Sequence, residues 1–250
     1  MTTDTVIRAE SLAKIYRSGA SELRVFEHLS LEVRAGERLA IIGESGSGKS
    51  TLLHLLGGLD RPSSGTIYFG TQNIGALTDR QLAEFRNREL GFVWQNPSLL
   101  PEFTSLENVM MPLLIRGLDV KEASAAARSR LDEVGLGARE THRAGELSGG
   151  EQQRIALARA LVGNPRFLMA DEATGNLDHR TGEMIAGLLS ELHATHGLTS
   201  IFVTHNLGFA EQCDRVLQLD KGSLFTPADL ELQPAGIGRD ATRLDGGNYV

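Results

Sequence analysis

The sequence is almost without cysteine: Cys213 is the only one. A single thiol cannot close an internal disulfide, so a hydrophobic core has to hold the fold, and a reducing compartment suits the chain. There is no excess of basic residues either. Twenty-five Lys and Arg stand against 32 Asp and Glu, a net charge of −7. No basic field for nucleic acid follows from that balance, which argues against a remodelling enzyme of DNA or RNA. Long apolar runs are missing as well. The longest nearly apolar stretch, residues 109–115, is far short of the roughly 20 residues a bilayer span needs. Residues 1–10 contain no apolar signal region. The chain is therefore expected to be cytoplasmic, meeting a membrane only through other proteins. No internal repeat is visible.

What is present is enough apolar material, 41% of 250 residues, for one sizeable globular domain. Two glycine-rich motifs stand out in it. Gly43-Glu44-Ser45-Gly46-Ser47-Gly48-Lys49-Ser50 has the spacing of a phosphate loop, with Thr51 directly behind it. Its glycines let backbone N–H groups close around phosphate oxygens, Lys49 reaches the β and γ phosphates, and the Ser50 hydroxyl suits Mg²⁺. Leu147-Ser148-Gly149-Gly150-Glu151 is built differently. Ser148 and Glu151 make a capping box, and Gly149 and Gly150 leave the N–H groups of the helix start open to an anion. Alone, the second motif reads as an ordinary helix start, with Ile155, Ala158 and Val162 as its buried stripe. Together the two motifs give one chain two separate phosphate-binding devices.

Periodicity places these motifs on elements. Residues 6–9 and 24–33 read as strands with a polar turn at 17–22, an antiparallel sheet near the start. Residues 38–42 form a buried strand that runs into the phosphate loop, and 49–56 continue as a helix. Further strands are expected at 66–69 and 91–94, flanking a charged helix at 79–88. Residues 105–116 and 120–134 and the helix after Ser148 then make the pattern helical. Strands at 167–170 and 200–204, with a helix at 181–196 between them, restore the alternation that implies a largely parallel sheet. The fold class is α/β, with an N-terminal antiparallel β subdomain and a helical subdomain inserted at about residues 96–162. One domain covers 1–225, and 226–250, rich in glycine and poor in periodicity, is a loosely attached tail.

The chemistry gathers at strand ends. Residues 167–172 are an apolar strand that delivers Asp171 and Glu172 at its C-terminal end, where open α/β sheets bind ligands. Asp171 suits Mg²⁺, and Glu172 suits orienting or deprotonating an attacking water. Gln95 and His205 each follow a strand and belong to the same end of the sheet.

In combination these motifs resemble the ATP-binding cassette family, whose signature is LSGGQ or LSGGE, and the resemblance extends over residues 6–222. It implies a P-loop NTPase fold with a RecA-like core and an ATP hydrolase that uses ATP and Mg²⁺. It implies Gln95 as the glutamine near metal and attacking water, and His205 as the histidine that contacts the γ-phosphate. Ser50, Gln95 and Asp171 then share the metal. Gly175-Asn176-Leu177-Asp178 becomes a loop across a subunit boundary, and Tyr16 the aromatic that stacks on adenine. The family works as a head-to-tail homodimer, each ATP lying between one subunit's phosphate loop and the other's Ser148 to Glu151. The dimer drives integral membrane transporter subunits from the cytoplasmic face of the inner membrane. One departure is Ala173, where the family usually has proline; without a fixed φ the turn after Glu172 is expected to loosen.

Residues 50–65, 85–95 and 99–114 resemble the ATPases of lipoprotein-releasing systems, with macrolide-export and division-associated ATPases as near relatives. Asn96-Pro97-Ser98 departs from that subgroup. Rival readings are a DNA-repair or translation ATPase of the same superfamily, which would bring two cassettes or a coiled-coil insertion, and a nucleotide sensor without turnover. Neither hallmark of the first is present, and Glu172, Gln95 and His205 weigh against the second. Leu99, Leu100 and Phe103, with the face of 105–114, are expected to form a groove for an amphipathic helix of a membrane subunit.

Overall fold

The computed structural model describes residues 4–19 and 21–226. Two long strands, β1 (Thr5–Ser18) and β2 (Ser21–Arg34), pair antiparallel and are extended by β4 (Ser64–Phe69) and β5 (Gln72–Asn73) into a sheet of order β2-β1-β4-β5. The strand expected at 6–9 is thus much longer, and the expected polar turn at 17–22 shrinks to the link between Ser18 and Ser21. The alternation that marks a strand is interrupted at Ser11, whose φ of 48° belongs to a register shift between Ala9 and Leu12. A bulge of this kind hides a long strand from a period-two reading.

The second sheet carries the site. Its order is β10-β9-β3-β8-β7-β6, from β3 (Arg38–Ile42), β6 (Leu90–Trp94), β7 (Phe167–Asp171), β8 (Thr199–Val203), β9 (Arg215–Asp220) and β10 (Ser223–Phe225). All neighbours are parallel except β10 on β9. β9 and β10 were not anticipated, although Arg215–Asp220 alternates as a strand should; they extend the sheet on the far side of β3. The phosphate-loop strand thereby has neighbours on both sides, β8 and β9. The chain leaves β3 for residues 49–56 on one face of the sheet and leaves β8 for residues 207–210 on the other, and a crevice opens at such a switch point.

The sheet is buried on both faces, which is why its strands read as apolar runs. Leu39, Ile41, Phe167, Met169, Ile201 and Val203 pack with β1, β2 and the helix α1 (Lys49–Leu56). Leu168, Ala170 and Phe202 face the other way, onto α5 (Gly149–Leu161) and α6 (His179–His196). Leu52, Leu53, Leu55 and Leu56 of α1 are all fully buried. At about 1.5 to 3 kcal/mol for each such side chain, they fix the helix behind the phosphate loop.

Between Trp94 and Phe167 the elements are helical: α2 (Asp79–Glu89) precedes β6, and α3 (Ser105–Ile115), α4 (Val120–Glu133) and α5 follow it. Thr104 and Ser148 cap α3 and α5 with capping boxes, and Thr78 caps α2 in the same way. The expected stripe of α5, Ile155, Ala158 and Val162, is buried. The expected tail lies outside the described residues apart from Thr226.

The loop before α3 is organised by one buried side chain. Asn108 accepts from the Leu100 N–H at 2.8 Å and donates from Nδ2 to the carbonyls of Leu100, Phe103 and Thr104 at 3.0 to 3.2 Å. Asn108→Ala should leave the Leu100 N–H and the Phe103 carbonyl without this partner, while the Leu100 and Thr104 carbonyls keep main-chain bonds from Phe103 and Asn108. The expected cost is about 1 to 3 kcal/mol in denaturant unfolding, with faster proteolysis at residues 100–104.

Candidate active site

The phosphate loop joins β3 to α1, and its conformation demands glycine at two places. Gly43 has φ 153°, and a Cβ there would lie 2.5 Å from the carbonyl oxygen of Leu219 on β9. Gly48 has φ 102°, and a Cβ would lie 2.5 Å from Val25 Cγ1 on β2. The loop is therefore wedged between the two sheets. Lys49 is nearly buried and donates from Nζ to the carbonyls of Gly43 at 2.9 Å and Glu44 at 2.8 Å. Its ammonium thus occupies the mouth of the loop. Ser45 and Gly46 are exposed at the tip, Ser50 is exposed at the start of α1, and Thr51 is half-buried. The Ser47 hydroxyl is buried with no hydrogen-bond partner among the described residues.

β7 sets the carboxylates opposite. Asp171 ends the strand in register with Trp94 on one side and Val203 on the other. Burial pushes its carboxyl above the ordinary value, and the neighbouring Ser50 hydroxyl works the other way. Its Oδ1 is buried and without a hydrogen-bond partner among the described residues. An oxygen left unpaired beside Ser50 fits a divalent cation, since a buried carboxylate otherwise costs free energy. Among the described residues no three His, Cys, Asp or Glu side chains converge. A cation here would draw its remaining ligands from Ser50, Gln95, phosphate and water.

Glu172 is a non-glycine residue in the left-handed region, φ 49°. That conformation is sparsely populated and recurs at functional sites. The turn is held by hydrogen bonds from Glu172 N–H to the Val203 carbonyl and from Gly175 N–H to the Glu172 carbonyl, both 2.8 Å. Ala173, the next residue of the turn, is buried. The Glu172 carboxylate is mostly buried and lies 2.6 Å from His205 Nδ1, and it also accepts from the His205 N–H at 3.2 Å. The His205 ring is exposed. Gln95 follows β6 and pairs with Asn176, Nε2 donating to Oδ1 at 2.9 Å.

Lys49, Ser50, Asp171, Glu172, His205 and Gln95 therefore gather at the C-terminal ends of β3, β6, β7 and β8. Tyr16 is joined to them less directly. It pairs with Leu23 on β2, two residues before Val25, and its hydroxyl donates to Asp60 at 3.2 Å. The Lys14 ammonium sits 4.7 Å from its ring centroid.

The ABC transporter family model matches residues 26–175. The chain belongs to the ABC transporter family. It is 60% identical over 211 residues to the lipoprotein-releasing system ATP-binding protein LolD of Koribacter versatilis (strain Ellin345), spanning 84% of this chain and 95% of the relative. It is 52% identical over 219 residues to LolD of Syntrophotalea carbinolica (strain DSM 2380 / NBRC 103641 / GraBd1), spanning 88% and 96%. Among solved structures it resembles the dimeric ABC transporter cassette MJ0796, with TM-score 0.81, 36% identity, and 87% and 96% of the two chains covered. A post-hydrolysis dimer of MJ0796 bound to ADP and Pi matches equally well. The fold and the chemistry are those of an ABC-type ATP hydrolase.

The ABC signature lies elsewhere on the subunit. Ser148 and Glu151 close their capping box, Ser148 Oγ and N–H each 2.9 Å from Glu151 Oε2. These bonds hold the Glu151 carboxyl below its ordinary value, and Arg139 at 3.0 Å assists. Gly149 faces Leu177 and Gly150 faces Thr181, where a Cβ would come within 2.5 Å of Thr181 Cγ2. Ser148, Gly149, Gly150 and Glu151 line a pocket with Asn176, Leu177 and Asp178, whereas the phosphate loop packs against β2 and β9.

Sequence reasoning did not find two positioning side chains of α5. Gln153, fully buried, donates to the Trp94 carbonyl at 3.0 Å. Arg159 donates to the carbonyls of Pro97 and Ser98 at 2.7 and 3.0 Å. Both flank Gln95. A Gln and an Arg on a helix read as surface residues until their acceptors are placed.

Asp171 also makes a test. Because folding raises its pKa, its charge costs stability above the folded value, and the cost fades as pH falls toward the unfolded value of 3.8. Asp171→Asn should therefore raise the thermal midpoint of the nucleotide-free protein in EDTA at pH 7. About 1 to 3 °C is expected, since solvent screens part of the carboxylate. The gain over the unaltered protein should shrink toward pH 4.

Proposed function

We propose that this chain is the ATP-hydrolysing subunit of a transporter that releases lipoproteins from a membrane. It would act as a head-to-tail homodimer bound to membrane subunits on the cytoplasmic face of the inner membrane. The observation that carries the reading is the division of labour within one subunit. The phosphate loop and carboxylates sit at one sheet edge, and the signature faces its own residues 176–178, so an ATP held by the first needs a second subunit to supply the other. The dimeric MJ0796 cassettes support the arrangement, and the identity to LolD supports the cargo.

In this mechanism Lys49 leaves the Gly43 and Glu44 carbonyls and takes up the β and γ phosphates, while N–H groups of residues 44–50 close around them. Ser50, Asp171 and Gln95 would hold Mg²⁺, which when bound would supply positive charge against the phosphate oxygens. Glu172 orients and accepts a proton from the attacking water. His205, already paired with Glu172, keeps that carboxylate directed and turns its exposed ring toward the γ-phosphate. The partner's Ser148 and the N-terminus of its α5 complete the cradle from the other side. Closing on ATP and opening after hydrolysis would move the helical subdomain, about residues 96–162, against the core.

Glu172→Gln should keep ATP binding and lower turnover by about 10² to 10⁴. It should also trap a dimer on addition of Mg-ATP, read by light scattering. Near-unaltered turnover in contaminant-free protein would refute the role of Glu172; turnover loss without the dimer would refute the shared site.

The expected groove at 97–103 shifts somewhat. Leu100 and Phe103 are exposed beside the Asn108 network, and a cleft between α2, β6 and α3 is lined by Leu59, Phe92, Trp94, Pro112 and Ile115. Leu59 and Ile115 are 46% and 72% exposed, unusual for such side chains on one concave surface. We read this cleft as the seat of a short amphipathic helix from a membrane subunit. Ile115→Asp should leave basal ATPase unchanged and abolish co-purification with the membrane subunits and their stimulation. Leu100→Asp tests the flanking segment in the same assay.

A further inference from the structure

The pairing of Gln95 with Asn176 has a direction, and main-chain chemistry imposes it. Two hydrogen bonds join them: Gln95 Nε2 donates to Asn176 Oδ1 at 2.9 Å, and Asn176 Nδ2 donates to the main-chain carbonyl of Gln95 at 3.4 Å. A side-chain amide can rotate by a half-turn and exchange its donor and acceptor. A main-chain carbonyl only accepts. The Asn176 atom that faces it must be the NH₂ group, so Oδ1 faces the Gln95 side chain. Oδ1 in turn only accepts, so Gln95 must present its NH₂ to Asn176. Its Oε1, the only acceptor of that amide, is then the atom left for a cation.

The frame around this pair is rigid. The carbonyl of Trp94, before Gln95, is taken by Gln153, and those of Pro97 and Ser98, after it, by Arg159. On the other side Gly175 N–H is bonded to the Glu172 carbonyl, and Asp178 caps α6 through the Thr181 N–H at 3.1 Å. Gly175 lets the two segments approach: a Cβ there would lie 3.0 Å from Gln95 Nε2. Trp94 is the register partner of Asp171, so Gln95 follows directly beside the carboxylates.

We propose that Asn176 is a positioning residue that sets the amide sense of Gln95, so that Oε1 and not Nε2 is offered to a divalent cation at Asp171 and Ser50. An NH₂ group turned toward a cation would repel it, and free rotation of Gln95 would present the wrong end part of the time. The inference rests on reading Gln95 as a cation ligand, and the test separates the two.

The test uses the full chain saturated with the uncleavable analogue AMP-PNP, titrated with Mn²⁺ and read by electron paramagnetic resonance. Both residues are exposed, so the variants should fold. Asn176→Leu, which removes both bonds, should weaken Mn²⁺ binding by about three- to tenfold, the range for one neutral hydrogen bond, and leave AMP-PNP binding in EDTA unchanged. Asn176→Asp still accepts from Nε2 and so should keep Mn²⁺ affinity at or above the unaltered level. Gln95→Ala should weaken Mn²⁺ as well, and adding Asn176→Leu to it should cost nothing further. If Gln95→Ala weakens Mn²⁺ and Asn176→Leu does not, the role of Asn176 is overturned and the reading of Gln95 stands. If Gln95→Ala itself has no effect, the reading of Gln95 fails and the proposal with it. Additive losses in the double variant, or equal losses in Asn176→Asp and Asn176→Leu, would also overturn it.

Discussion

An ammonium buried against two carbonyl oxygens is the interaction on which the rest of this structure turns. Among the described residues Lys49 has no carboxylate in its hydrogen-bond shell; it is held by Gly43 and Glu44 of its own loop. A buried cation satisfied only by neutral acceptors is poised for an anion, because phosphate oxygens offer it stronger, charge-assisted bonds. The loop holds that poise because it cannot relax. Gly43 is pressed on β9, Gly48 on β2, and the four fully buried leucines of α1 anchor the helix behind them.

Across the crevice the electrostatics are of the opposite sign. Asp171 carries a buried, unpaired oxygen, and Glu172 sits in a left-handed turn with its carboxylate on His205. Among the described residues no salt bridge joins Lys49 to either acid, so the crevice keeps a cation held only by neutral acceptors and a carboxylate with one unpaired oxygen. The phosphates of a nucleotide suit the first, and a divalent cation would suit the second. The two sides are brought together by a largely parallel sheet buried on both faces, whose strands β3, β6, β7 and β8 end at one edge.

The helix α5 ties this edge to the remainder of the subunit. Its N-terminus holds the signature, its middle donates from Gln153 to the strand before Gln95, and its last turn donates from Arg159 to the segment after it. Movement of the cleft beside Trp94 and Ile115 would therefore reach Gln95 and the signature through one rigid element, as a tilt of a helix more than as a chain of local adjustments.

Much of the site was legible in the sequence, because glycine spacing, a lysine and a hydroxyl in fixed order, and two acids after an apolar run are local patterns with local causes. The capping box at Ser148, the buried stripe of α5 and the strand, loop, helix order around Lys49 follow from neighbouring residues alone. Other features depended on partners far along the chain. The bulge at Ser11 concealed the length of β1, and β9 became a core strand only by pairing with β3. Asn108, Gln153 and Arg159 show as polar residues on helices, and only the tertiary structure reveals that their partners are main-chain carbonyls of distant loops. The sense of the Gln95 amide was likewise decided in three dimensions, since it depends on which atom of Asn176 meets a carbonyl that can only accept.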